Sequence, residues 1–354
     1  MDLRYGDAIE VLRSLPDKSV NLIATDPPYF RAIDAAWDNA WKDSASFLAW
    51  LGTVADEWQR VLTDNGTLYC FASPRMAAPV QMMLAERFTI LNEIVWACPT
   101  GKTSMRVRRE SLRRFLPITE RLIVAEQVAA DGSVMRASGY AAACQTLHAG
   151  VFEPLRQYLI GERDAAGWTT RRIAEEFQRR TGTRTVTGMA SHWFDGSQWT
   201  LPTEHNYEWL QRLFNTNGTD HLRREYDDLR REYDDLRRPF AVTADVPYTD
   251  VWTYPTVSSA RRGEVRHPCT KPVEMMEHII ATSSRPGDVV LDCFLGSGST
   301  AVAARNLGRN FIGCDMDELW VQRTRQRLDG TERIKGKATT PHVEPTLFDL
   351  EVAS

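Results

Sequence analysis

Four residues near the N-terminus, Asp26-Pro27-Pro28-Tyr29, place an acid, two prolines and an aromatic directly after an apolar run, VNLIAT at 20–25. Proline after Asp26 pushes that residue into an extended conformation. Pro27 and Pro28 lack N–H groups and have fixed φ, so the stretch is stiff and rich in unpaired carbonyls. Asp26 with a backbone carbonyl makes a rigid pair of hydrogen-bond acceptors, and Tyr29 supplies a flat aromatic face. Two acceptors and a stacking ring suit an exocyclic amino group on a planar base. Such a nitrogen is a poor nucleophile because its lone pair is delocalised into the ring. Acceptors that hold both N–H bonds favour a tetrahedral nitrogen able to attack a methyl group. A base inside a duplex reaches such a pocket only by flipping out. The bland reading is a proline-stiffened strand exit with a solvated Asp26.

A second constellation lies far along the chain, in DVVLDCFLGSGSTA at 288–301. Gly296 and Gly298 allow a tight turn and close approach of backbone to ligand, and Ser299 and Thr300 suit a helix start. Asp315 ends the next apolar run, where an acid can hold ribose hydroxyls. Gly296-x-Gly298-x-x-Ala301 also satisfies the dinucleotide fingerprint, so an NAD-dependent oxidoreductase is one alternative. Asp292 and Phe294 favour S-adenosylmethionine: the acid can pair with an ammonium and the aromatic can lie beside it.

These sites need a sheet to carry them. VNLIAT (20–25), GTLYCFA (66–72), ILNEIVWAC (90–98) and ERLIVAEQ (120–127) read as strands, with helices at 44–62 and 76–88. Strands alternating with helices predict an α/β fold with a mostly parallel sheet. From about 256 the pattern returns, as helix, strand (288–294), helix, strand (309–317) and a last helix. Between them, 131–255 reads as short helices with almost no strand. The predicted organisation is a catalytic part at 1–130, a helical target-recognition insertion at 131–255, a cofactor-binding part at 256–330 and a flexible tail at 331–354. The chain has 354 residues, 43% hydrophobic and 25% charged, which suits a globular protein with a sizeable core. The net charge of −4 gives no sign of a polyanion partner, so any basic surface must be local. Six scattered cysteines without metal-ligand spacing predict a reduced, cytoplasmic protein with no metal. The sequence shows neither a signal-peptide pattern nor a membrane-length apolar run.

With both sites and their order in view, the chain resembles the β-class DNA amino-methyltransferases, in which the catalytic motif precedes the cofactor motif. The likeness rests on GDAIEVLRSLPDKSVNLIATDPPYF at the start, RHPCTKP at 266–272 and LDCFLGSGSTAVAARNLGRNFIGCDMDE at 291–318. It implies a doubly wound, permuted methyltransferase sheet whose last strand lies beside its first. Asp7, with Ala8, would bond the cofactor's adenine, and Asp26, Pro27, Pro28 and Tyr29 would form the target-base pocket. His267, Thr270, Lys271 and Pro272 would line the methionine end. Asp292, Phe294, Gly296, Ser297, Gly298, Ser299 and Thr300 would form the cofactor loop, with Asp315 on the ribose, where the family commonly has Glu. DPPY in this class usually goes with adenine and SPPY with cytosine, so the resemblance implies adenine N6 methylation of double-stranded DNA, with cytosine N4 as the alternative.

The DNA contacts are expected in 102–121, where Lys102, Arg106, Arg108, Arg109, Arg113, Arg114 and Arg121 suit phosphates. WTTRRIAEEF…TVTGMASHWF has the rhythm of a helix-turn-helix, with Arg184, Thr187, Ser191 and His192 able to face bases, or else with Trp193 and Phe194 simply as core. A DNA-binding regulator with a vestigial catalytic domain is a third reading, against which the intact Asp26 and Tyr29 argue. LRREYDD occurs twice, at 222–228 and 229–235, giving a heptad seam of Leu222, Tyr226, Leu229, Tyr233 and Leu236. Two heptads must pack on something, either this chain's own insertion or the same helix of a second subunit, of which the homodimer contact is the expectation, with pairs Asp227–Arg231 and Asp234–Arg238. The tail EPTLFDL (344–350) resembles peptides that bind bacterial sliding clamps through Leu347 and Phe348.

Overall fold

The computed structural model describes residues 1–98, 113, 115, 117–127, 152–182, 188–194, 199–236, 238–242, 249–257 and 269–330. His267, Lys102, Arg106, Arg108, Arg109, Arg114, Arg184, Thr187 and the tail motif with Leu347 and Phe348 lie outside the described residues. The chain divides into two compact units, Met1–Glu126 with Pro239–Ser354, and Gln127–Arg238.

The first unit is built on a sheet of order β1-β8-β7-β2-β3-β5-β4-β6. Its strands are β1 (Asp2–Tyr5), β2 (Val20–Thr25), β3 (Leu62–Ala72), β4 (Phe88–Ala97), β5 (Thr119–Gln127), β6 (Val251–Thr253), β7 (Val289–Asp292) and β8 (Asn310–Asp315). β1 pairs parallel with β8, Tyr5 opposite Asp315, so the last strand does sit beside the first. β2 runs parallel to both neighbours, with Ile23 opposite Leu68 and Leu291. Leu22, Ile23 and Ala24 are fully buried, as continuous apolar runs demand when a sheet is covered on both faces. β5 departs from the expected parallel pattern and runs antiparallel to β3. Helices α1 (Ala8–Arg13), α2 (Ser44–Val61) and α3 (Ala77–Ala85) pack in sequence. They are separated in the chain from α8 (Val273–Ser283), α9 (Ser299–Asn306) and α10 (Glu318–Asp329).

The insertion proves shorter than 131–255. Residues after 238 belong with the sheet because β6 pairs with β4, Trp252 opposite Trp96.

The second unit holds α4 (Glu153–Ala165), α5 (Thr170–Thr181), α6 (Glu204–Phe214) and α7 (Tyr226–Leu236) around its own aromatic core of Phe152, Trp193, Trp199, Tyr207 and Phe214. Of the second half of the expected helix-turn-helix, the described residues Gly188–Trp193 form a 3₁₀ helix, and Trp193 and the adjoining Phe194 are buried in that core. The repeat is helical only from Tyr226. Leu222 precedes the helix at φ 55, its N–H donating to Glu162 Oε2 at 2.6 Å. The seam packs inward: Leu222 and Leu229 are buried, and Tyr233 stacks on Phe152 at 4.7 Å. The intrachain core thus takes the surface on which the homodimer expectation rested. The ion pairs along α7 include Arg230 on Asp234 at 2.9 Å and Arg231 on Asp228.

Candidate active site

β2 and β7 are adjacent and parallel, and from them the chain leaves in opposite directions, β2 toward β3 and β7 toward β8. Loops diverge at such a switch point and leave a crevice at the strands' carboxyl ends. Both constellations open on it. Asp26-Pro27-Pro28-Tyr29 follows β2, the glycine loop follows β7, and together they line one cavity of about 620 Å³, within the range of small-molecule sites. Asp7, Ala8, Lys271, Asp292, Phe294, Gly296, Ser297, Ser299, Thr300 and Asp315 also line it, whereas Thr270, Pro272 and Gly298 do not.

Most of these side chains are themselves held in place. Asp7 caps α1, its Oδ1 accepting from Ile9 N at 2.9 Å and Glu10 N at 3.3 Å. Asp292 lines the cavity while being almost fully buried beneath the glycine loop. Its Oδ1 accepts from Thr25 Oγ1 at 2.9 Å and Phe294 N at 3.1 Å, and its Oδ2 from Thr300 Oγ1 at 2.6 Å. Burial pushes its carboxyl up to about 6, against the pull of those donors. Asp315 Oδ2 accepts from Gly296 N and Oδ1 from Asp317 N, both at 2.9 Å. Gly296 takes φ 48 inside this turn. Gly298 answers a different demand: at φ +75, a Cβ there would lie 2.4 Å from Thr324 Oγ1 on α10.

At the other end, Asp26 Oδ1 is buried with no hydrogen-bond partner among the described residues. Lys271, which lines the cavity, also reaches the acceptor turn. Its Nζ sits 2.5 Å from Asp26 Oδ2, 3.0 Å from the Tyr29 hydroxyl and 3.3 Å from Glu120 Oε2. The Tyr29 hydroxyl in turn donates to Glu120 Oε2 at 2.8 Å. Burial would lower the Lys271 pKa, but Asp26 and Glu120 more than offset it and keep the ammonium charged. Burial raises the Asp26 carboxyl above its ordinary value, Lys271 opposing and Glu120 adding to the rise.

Sequence reading missed three contributors. Glu120 lies in an apolar strand, with nothing local to mark it. Asp38 is fully buried and accepts from Tyr29 N at 2.7 Å, Ala32 N at 2.6 Å and Ile33 N at 2.9 Å. It thereby holds the turn after Tyr29, where Phe30 and Arg31 sit at φ 57 and 59, costly for residues with a Cβ. An aromatic wall also forms, with Trp41 4.6 Å from Trp50 and Trp50 5.8 Å from Phe294. Its signal was the tryptophan density of 36–50. Of the expected phosphate-binding residues Arg113 and Arg121 are described: Arg113 is exposed, and Arg121, on β5, pairs with Glu93 at 3.0 Å.

Comparison with known proteins agrees with this arrangement. The chain is 25% identical over 329 residues to the DNA adenine methyltransferase YhdJ of Escherichia coli (strain K12), covering 92% of this chain and 81% of that protein. It is 49% identical over 69 residues to the type II methyltransferase M1.MboII of Moraxella bovis, a stretch of 20% of this chain and 26% of that one. The PvuII DNA methyltransferase (cytosine-N4-specific) shares the fold at a TM-score of 0.51 and 14% identity, covering 91% of this chain and 84% of that one. A family model for DNA methylases, N6_N4_Mtase, matches residues 20–325. Matched over most of its length, and carrying its acceptor turn ahead of its glycine loop, the chain belongs to the N6/N4 DNA methylase family.

Proposed function

We propose that this chain transfers a methyl group from S-adenosylmethionine to the exocyclic N6 amino group of an adenine flipped out of double-stranded DNA. The observation that carries the reading is the unpartnered, buried Oδ1 of Asp26, an acceptor in the same cavity as the glycine loop. A buried acceptor without a donor is costly, and an amino N–H relieves that cost.

The residues fit the donor. Asp7, Asp315 and Asp317 surround the loop end of the cavity, a set suited to hydroxyls, amino groups and a cation, and unsuited to a diphosphate. S-Adenosylmethionine, when bound, supplies a methyl group on a cationic sulfur. Asp7 and Asp315 hold its nucleoside, and Phe294 and Trp50 cover it. Asp26 Oδ1 accepts one N–H of the target amino group and a carbonyl of the proline turn accepts the other, which directs the nitrogen lone pair out of the ring plane. The Tyr29 ring stacks on the base, and the Asp26 carboxylate takes the proton released by the methylated nitrogen. Lys102, Arg106, Arg108, Arg109, Arg113 and Arg114 neutralise phosphates of the flanking duplex.

The test is methylation of mixed-sequence duplex DNA followed by mass spectrometry of the nucleosides. N6-Methyladenine is the expected product, abolished by Asp26→Ala with binding of S-adenosylhomocysteine retained. N4-Methylcytosine in its place overturns the base assignment, and near-normal turnover by Asp26→Ala overturns the catalytic one.

A further inference from the structure

The Asp26 carboxylate enters the cavity with its two oxygens in different states. Oδ1 is buried and unpartnered, while Oδ2 lies 2.5 Å from Lys271 Nζ. The ammonium is 7% exposed and packs over aromatic faces, 4.8 Å from the Phe71 ring centroid and 5.1 Å from that of Tyr29. It is tethered on its other side by the Tyr29 hydroxyl and by Glu120 Oε2, themselves hydrogen-bonded to each other. These groups come from four separate places: the turn after β2, β5, the entry to α8, and β3 beneath them. We propose that Lys271 is a positioning residue for methyl transfer: it clamps Oδ2 of Asp26, and the Tyr29–Glu120 pair holds the clamp, so that Oδ1 is the oxygen presented to the target amino group. This rests on the proposed amino-methylation.

The physical case has two parts. A carboxylate free to rotate about its Cβ–Cγ bond offers its oxygens indifferently, and a short charge-assisted bond to one of them removes that freedom. The second part is charge. Asp26 must be ionised to accept an N–H and later a proton, yet it is crowded by groups that oppose ionisation. Burial and Glu120 on β5 both raise its carboxyl, and Asp26 in turn adds to the rise that burial gives the Asp292 carboxyl on β7 and the Cys70 thiol on β3. Lys271 is the cation set among them, and an opposite charge at that distance favours the ionised form. The two carboxylates paired with Lys271, Asp26 and Glu120, and its one ammonium together carry a single net negative charge, the complement of a sulfonium donor.

The experiment compares full-length wild type with Lys271→Met, Lys271→Arg and Glu120→Gln. Two readouts are taken: turnover against pH on duplex DNA, and the carbon-13 chemical shift of the Asp26 carboxyl against pH without DNA. In Lys271→Met the Asp26 carboxyl is expected to titrate about one pH unit or more higher. The acid limb of kcat/KM should move with it, and kcat should fall about a hundredfold, with cofactor affinity within about threefold of wild type. Lys271→Arg restores most of the turnover. Glu120→Gln, which keeps the cation and removes a like charge, moves the carboxyl titration the opposite way, and it decides the matter if Lys271→Met does not fold. A tenfold or greater loss of cofactor affinity in Lys271→Met with an unmoved Asp26 titration overturns the proposal and returns Lys271 to the cofactor. A wild type inactive on DNA sinks the proposed reaction and leaves the carboxyl titration to decide the role of Lys271.

Discussion

Tyr29 combines two roles that its position in the sequence does not separate. Its ring is the stacking face expected of a base pocket, and its hydroxyl accepts from Lys271 and donates to Glu120. Tyr29→Phe keeps the ring and leaves Lys271 with Asp26 and Glu120, so most activity should survive. Tyr29→Ala loses the stacking surface, a cost of about 1–3 kcal/mol in the DNA-dependent step. Comparing kcat/KM for the two variants checks this, and equal losses would mean that the hydroxyl, not the ring, matters. Asp26 and its prolines were legible because their types restrict the backbone within a few residues. Glu120 and Asp38 were not, since each acts on residues brought near by the sheet or by a loop closing on itself.

At the scale of elements, the glycine loop and the repeat helix each show packing deciding what a pattern left open. Gly298 matches a ligand-binding fingerprint, but its missing side chain makes room for α10. Gly298→Ala should therefore destabilise the fold by about 1–3 kcal/mol, from a strained φ and from overpacking against Thr324. Adding Thr324→Ala should recover the overpacking share, as urea unfolding of the single and double variants will show. A double variant no more stable than the single would place the whole cost in the backbone. Leu229 is fully buried in the helical unit. Leu229→Asp should cost more than about 3 kcal/mol by stranding a charge in an apolar core. It should abolish the near-ultraviolet dichroism of the tryptophans in that unit and leave the molar mass by light scattering as in wild type. A fall in mass would restore the heptad seam as an interface between chains.

Among the described residues, the sheet unit and the helical unit each bury apolar clusters of their own. Separate cores predict unfolding that is not two-state. Calorimetry should resolve two transitions, and S-adenosylhomocysteine should raise only the one belonging to the sheet unit. At a hundredfold excess over Kd the gain is about 2.7 kcal/mol. A ligand that shifts both transitions equally would mean that the units unfold as one.

The sequence by itself determined the α/β class and the order of acceptor turn before glycine loop, and its family resemblance implied the pairing of the first strand with the last. Apolar periodicity, proline and glycine act over a few residues, and β1 completes the sheet edge beside β8. It also located the helical insertion, though not its end, because β6 is a three-residue strand that is stable only through its pairing with β4. Tertiary structure decided the rest. Asp292 became a buried anchor for the loop, since the hydroxyls of Thr25 and Thr300 converge on it from β2 and α9. The heptad seam turned inward because aromatic side chains from other helices of its unit cover it. Lys271 came to Asp26 across 245 positions of sequence, a contact made only by the sheet that sets β2 beside β7 and by α8, whose entry brings the lysine to that edge.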